Sequence, residues 1–185
     1  MTKRLTTSAV LLALGIVLTI FYIYRLTNGG CVTMASMLPV AVISLLYPTW
    51  WGLMSAAVFS LLQMMVLGGV TPPPTQDVYS YIMVILLDYL IASGVLGLTG
   101  PLYRLMRRKI WAIPTATAVV LVLNFLCHYV SGVIIWGVYA KPGQSPALYS
   151  LIYNGSYMLP EILITTTVAA FLSKFLQRRI GQEGA

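Results

Sequence analysis

The sequence predicts an all-α integral membrane protein, a single membrane domain over residues 1–185 with six transmembrane helices and both termini cytoplasmic. Three observations carry that expectation. Hydrophobic residues make up 59% of the chain and charged residues 8%, with a mean hydropathy of +0.88, whereas a soluble domain carries about 25% charge. Apolar runs of about 20 residues, the length an α-helix needs to cross the hydrocarbon core, recur along the whole chain. The basic residues behind the net charge of +7 stand in short clusters beside those runs, as topology signals do. The lipid bilayer is therefore the expected partner, and no nucleic acid is.

The first helix is expected over Leu5–Tyr24. It follows Lys3 and Arg4 as a signal peptide would, yet it is long and lacks a small-residue cleavage site, so it reads as a retained helix. Asn28-Gly29-Gly30 signals a turn. The second helix, Met34–Tyr47, is short for a full span and ends at Pro48. The third covers Trp50–Leu67. The run Thr71-Pro72-Pro73-Pro74 makes residues 68–79 a stiff loop that cannot be helical. The fourth helix is expected over Ser80–Tyr103, the fifth over Ile113–Val138 and the sixth over Ala147–Leu176, with a polar loop from Tyr139 to Pro146.

Charge fixes the expected orientation. Lys3, Arg4, Arg104, Arg107, Arg108, Lys109, Lys174, Arg178 and Arg179 fall on the side of the termini, and Arg25 and Lys141 on the other. The positive-inside rule makes the first side cytoplasmic.

The chain has no phosphate-cradling Gly-rich loop, no HExxH, no paired-cysteine motif and no nucleophile elbow. Cys31 and Cys127 lack metal-ligand spacing and are assigned to packing. Nothing points to an enzyme, a metal or a cofactor, and no inverted repeat of the transporter kind is visible.

Chemistry then rests on the few polar groups within the helices. Asp88 and Glu161 are the acids there, and an intramembrane carboxylate needs a partner. At 1.5 Å per residue, Asp88 lies about 12 Å below the outer end of its helix and His128 about 15 Å below the end of its own, so the two sit at similar depth. His128, Gly132 and Trp136 are spaced i, i+4, i+8 on one helix face. Two readings stand for them: a slot between flat rings that would take a planar molecule, or close helix packing at Gly132 with Trp136 as an interfacial residue. Asn154, seven residues before Glu161, offers a donor and an acceptor to a ring edge, or serves as interhelical glue. Glu161, beside Pro160, reads as structural. Tyr89 points about 100° away from Asp88, and Tyr22 and Tyr24 are expected as belt residues. Gln63 and Asn124 read as glue. Together, the outer halves of the fourth, fifth and sixth helices would suit a small, flat, cationic molecule, balanced by Asp88, stacked by Trp136 and His128, and read by Asn154 and Tyr149.

The stretches NGGCVTMASMLPVAVISL (Asn28–Leu45), LLDYLIASGVLGLTG (Leu86–Gly100), FLCHYVSGVIIW (Phe125–Trp136) and YAKPGQSPALYSLIYNGSYMLPE (Tyr139–Glu161) resemble the thiamine-specific S-component of energy-coupling factor (ECF) transporters. The resemblance implies a six-helix, multi-pass protein of the bacterial plasma membrane that captures thiamine outside the cell. It also implies partners: the ECF coupling transmembrane subunit and two ATPase subunits. The family's substrate-binding positions carry over as Asp88, Tyr89, His128, Gly132, Trp136, Tyr149 and Asn154. Where Asp88 stands the family pattern carries a Glu, and the shorter side chain changes the reach by about 1.5 Å. Ala9-x-x-x-Ala13 on the first helix resembles the surface through which the family docks its coupling subunit; small residues four apart also serve ordinary packing. Further readings are an S-component for a thiamine precursor or another flat vitamin, a self-sufficient proton-coupled transporter relaying protons through Asp88 and Glu161, and an intramembrane enzyme.

Overall fold

The computed structural model describes residues 2–27 and 29–183; Asn28, the first residue of the expected turn, lies outside them. Five helices among the described residues are long and apolar enough to cross a membrane. They are α1 (Thr2–Ile20), α3 (Thr49–Val66), α4 (Val78–Leu105), α5 (Ala112–Ile134) and α6 (Pro146–Glu183). The remaining helix, α2 (Leu38–Leu46), has nine residues. That length rises about 13.5 Å and cannot cross the roughly 30 Å hydrocarbon layer by itself. Pro39 stands in its first turn, where a missing N–H costs nothing. Every residue from Leu38 to Leu45 is buried, so α2 is a core helix wrapped by its neighbours.

The expectation of an all-α chain is corrected between α1 and α2. Here Tyr22–Arg25 (β1) and Cys31–Thr33 (β2) pair antiparallel, with Arg25 opposite Cys31. The apolar run into Tyr24 imitates a longer helix, but the β-branched and aromatic residues Tyr22, Ile23 and Tyr24 serve a strand equally well. A Leu26 N–H to Gly30 O bond of 2.7 Å closes the turn.

The helices are joined by small residues and polar ties. On α1, Ser8, Gly15 and Thr19 face the body: the Trp51 indole N–H donates to Ser8 Oγ at 2.8 Å and Gln63 Nε2 to Thr19 Oγ1 at 3.1 Å. Ala9 and Ala13 lie on the opposite, exposed side. Gly97 and Gly100 of α4 lie so close to α2 and α3 that a Cβ at either would collide with their backbone, and Gly100 N–H donates to Ser44 Oγ at 2.9 Å. This close approach requires glycine.

Two boundaries and one helix interior differ from expectation in ways that matter. Asp77 caps α4, accepting from Ser80 N–H at 2.9 Å and Ser80 Oγ at 2.8 Å. Hydrogen bonds from Thr75 and Ser80 hold its exposed carboxyl down to about 2, as a capping acid at a helix N-terminus should be. The middle of α4, Ile85–Ile91, is wound as a π-helix. Asn124 of α5 reaches the carbonyl of Ala92 just beyond it at 2.6 Å, supplying a partner from outside the helix. Finally α5 ends at Ile134, not Val138, and Trp136–Tyr139 form a separate 3-10 turn.

Candidate functional site

Above the packed cluster of Val40, Ala56, Phe59, Leu96, Val120 and Leu121 lies a cavity of about 170 Å³. Its floor includes Phe59, Leu96 and Met158; its walls come from α3, α4, α5, α6 and the hairpin. The site residues expected from sequence, Asp88, Tyr89, His128, Gly132, Trp136, Tyr149 and Asn154, all line this one cavity.

Asp88 is the centre of the polar wall. Its Oδ1 lies 3.0 Å from His128 Nδ1. Its Oδ2 accepts from Ser131 Oγ at 2.6 Å and from the Trp136 indole N–H at 3.0 Å. The similar depth of Asp88 and His128 is thus realised as direct contact. Burying a carboxylate inside a bilayer is costly unless donors surround it, and α5 with its following turn supplies three. Side-chain exposures of 17% for His128 and 16% for Asp88 leave both reachable from the cavity.

The π-helical winding carries Asp88 and Tyr89 to the same cavity. Their 100° divergence holds for an α-helix; the wider π turn, closed i to i+5, brings consecutive residues nearer one face. Tyr89 also ties the proline-rich loop to α4. Its hydroxyl accepts from Thr71 N–H at 3.2 Å and lies 3.3 Å from Thr71 Oγ1.

Gly132 and Asn154 take their glue-and-packing reading in this geometry. A Cβ at Gly132 would overlap Ser150 Oγ and stand 2.8 Å from Asn154 Nδ2, so the gap is filled by α6. Asn154 Nδ2 donates to His128 O at 3.1 Å and Ser150 Oγ at 3.0 Å, while its Oδ1 accepts from Tyr157 at 2.7 Å. The rings also pair differently from a slot between His128 and Trp136. Trp136 stacks on Tyr139 at 6.3 Å and 19°, and Tyr149 on Tyr153 at 5.8 Å and 18°. His128 meets Tyr157 edge-on at 6.2 Å.

Ser131, Tyr153, Tyr157 and Arg25 stand at the site without being expected there from sequence. Ser131 sits three residues after His128, the spacing that shares a helix face, and that signal could have found it. Tyr153 and Tyr157 continue the Tyr149 ladder at i, i+4, i+8.

Glu161 lies apart, fully buried and outside the cavity lining. Its Oε2 accepts from Thr33 N–H at 2.6 Å, and its Oε1 from Thr33 Oγ1 at 2.8 Å and Thr165 Oγ1 at 3.3 Å. It pins the end of the hairpin to α6.

Comparison with known proteins identifies the family. The chain matches the family model described as "Thiamine transporter protein (Thia_YuaJ)" over residues 5–180. It is 26% identical over 180 residues to "Thiamine transporter ThiT" of Bacillus subtilis, covering 91% of this chain and 89% of the relative. Against the protein of the same name from Lacticaseibacillus paracasei it is 27% identical over 178 residues, covering 89% and 84%. A solved structure of ThiT from Listeria monocytogenes shares the fold, with a TM-score of 0.77 at 20% identity and 97% of each chain covered. These relatives are transport proteins of bacterial membranes, not enzymes, and the chain belongs to the thiamine transporter protein family.

Proposed function

We propose that the protein is the thiamine-capturing subunit of an ATP-driven importer of the ECF type, binding thiamine in the cavity around Asp88. The observation that carries this reading is a carboxylate within the membrane-spanning region, held by three donors yet facing open space. Thiamine is flat and carries a permanent cation on its thiazolium ring. Asp88 balances that charge; His128, Trp136 and Tyr149 supply aromatic surface; Tyr89, Gly132 and Asn154 shape the wall and hold it still. The proline-rich loop and the hairpin face outward and both termini face the cytoplasm, a reading supported by the nine basic residues on the terminal side. The second of six crossings is completed by α2 together with the hairpin.

The chain contains no ATPase motif of its own. In this reading two ATPase subunits and a coupling transmembrane subunit supply the driving force, and α1 meets the latter through exposed Ala9 and Ala13, where small side chains permit close helix approach.

Titration of the purified protein with thiamine, followed by tryptophan fluorescence, tests the assignment. Ligand stacking beside Trp136 quenches emission, and capture of a scarce vitamin calls for nanomolar affinity, about −12 kcal/mol. Absence of any response at micromolar thiamine would overturn the assignment.

A further inference from the structure

The end of the molecule that carries the termini holds a second hollow, a cleft of about 610 Å³. Lys3 and Arg4 line it from the start of α1, and Arg104 and Arg108 from the end of α4 and the turn after it. Among the described residues lining the cleft there is no Asp or Glu. Like charges gathered in one hollow repel, and an anion between them relieves that repulsion.

The fold holds these cations in place. The Arg4 guanidinium lies 5.3 Å from the centre of the Tyr47 ring and 5.5 Å from that of Trp51. Arg104 Nη2 donates to Thr49 Oγ1 at 2.8 Å. The turn beyond α4 takes Arg107 and Arg108 through the left-handed region, at φ of 60° and 54°, which residues other than glycine keep only where their surroundings impose it. Tyr103 Oη and Gln177 Nε2 impose it here, donating to Arg108 O at 2.9 and 3.2 Å. Thr49, the first residue of α3, also lines the cleft, and a helix N-terminus adds partial positive charge. Tyr47 on the wall is 5% exposed and its hydroxyl has no hydrogen-bond partner, so this wall lacks an acceptor.

The position of the cleft selects among anions. It lies where the membrane-spanning helices end, and Trp50, Leu105 and Trp111 stand exposed at the same ends. Indoles so placed mark the level at which hydrocarbon gives way to headgroups, and basic pockets between helices at that level suit lipid phosphates. We infer that this cleft binds the headgroup of an anionic phospholipid, with Arg4 and Arg108 gripping the phosphodiester oxygens and Arg104 and Lys3 completing the positive wall. The site is independent of the thiamine reading.

The test adds phosphatidylglycerol or phosphatidylcholine to the purified protein in detergent and follows the lipid retained by native mass spectrometry, together with the melting temperature. The wild type retains phosphatidylglycerol in preference. Arg4→Gln and Arg108→Gln each weaken that retention about threefold and the pair about tenfold, the scale of partly exposed charge pairs. Lys174→Gln with Arg178→Gln removes two charges from the same side outside the cleft, and retention holds within about twofold. Inorganic phosphate and glycerol phosphate at the same concentration leave the melting temperature unchanged. Should the pair fail to fold, Arg108→Gln alone carries the comparison, because the ties of Arg108 to Tyr103 and Gln177 run through its carbonyl. Equal retention of the two lipids, or an equal loss in the Lys174 and Arg178 variant, overturns the site. A melting shift with the soluble phosphates overturns the lipid as its occupant. Cleft variants that keep the lipid but no longer assemble with a coupling subunit would make the cleft a protein contact, which also overturns the inference.

Discussion

Asp88 and Glu161 are both carboxylates within membrane-spanning helices, yet they do different work. Glu161 is sealed, and its oxygens are occupied by Thr33 and Thr165. All of these partners are neutral, and none opens onto the cavity. Asp88 is held as firmly, by His128, Ser131 and Trp136, but it and two of those partners line the cavity. An acid with every face covered can only build architecture. One with a face open to empty space can exchange a partner for a ligand. The presence of donors does not separate the two cases; where the donors themselves lead does.

The comparison breaks most visibly at Glu161. Glu161→Ala orphans the buried amide of Thr33, which costs about 1–3 kcal/mol, leaves the Thr33 hydroxyl with Ser36 alone, and opens a cavity where a fully buried side chain stood. The expected loss is about 3 kcal/mol, read as a lowered melting temperature in detergent. Stability within about 0.5 kcal/mol of the parent would make Glu161 a bystander. Asp88→Asn keeps the shape and removes the charge: thiamine affinity falls at least tenfold, about 1.4 kcal/mol, with a smaller effect on melting than Glu161→Ala. Unchanged affinity would take Asp88 out of the site. Ser131→Ala is gentler, since it removes one donor and leaves the other two on the carboxylate; isothermal titration should show a loss of about threefold, near 0.7 kcal/mol. A loss equal to that of Asp88→Asn would mean that Ser131, not the charge, carries the difference between the two acids.

Much of this is legible in the chain because a bilayer makes polar residues conspicuous. Asp88 and His128 can be matched in depth from helix rise alone, and Glu161 beside Pro160 reads as structural. Three things escape for physical reasons. The hairpin at Tyr22–Thr33 is hidden because aromatic and β-branched residues extend an apolar run whether they are helical or extended. Trp136 falls off the face of α5 because the helix ends at Ile134, and the first glycine past that end, Gly137, comes only after Trp136. Ser131 is passed over, although its spacing from His128 places it on the same face, because a serine inside an apolar helix usually bonds its own backbone, whereas this one reaches across to Asp88.

The wide turn at Ile85–Ile91 also bears on how such a site could change over time. A π segment amounts to one surplus residue absorbed into a helix, and its position along the axis sets the angle at which everything on that stretch points. Moving the surplus by a turn, or deleting it, would rotate Asp88 and Tyr89 about α4 without altering a single side chain. Insertion and deletion are thus a route to new ligand preference here, independent of substitution in the cavity wall, and α4 is the helix on which a designer would try it first.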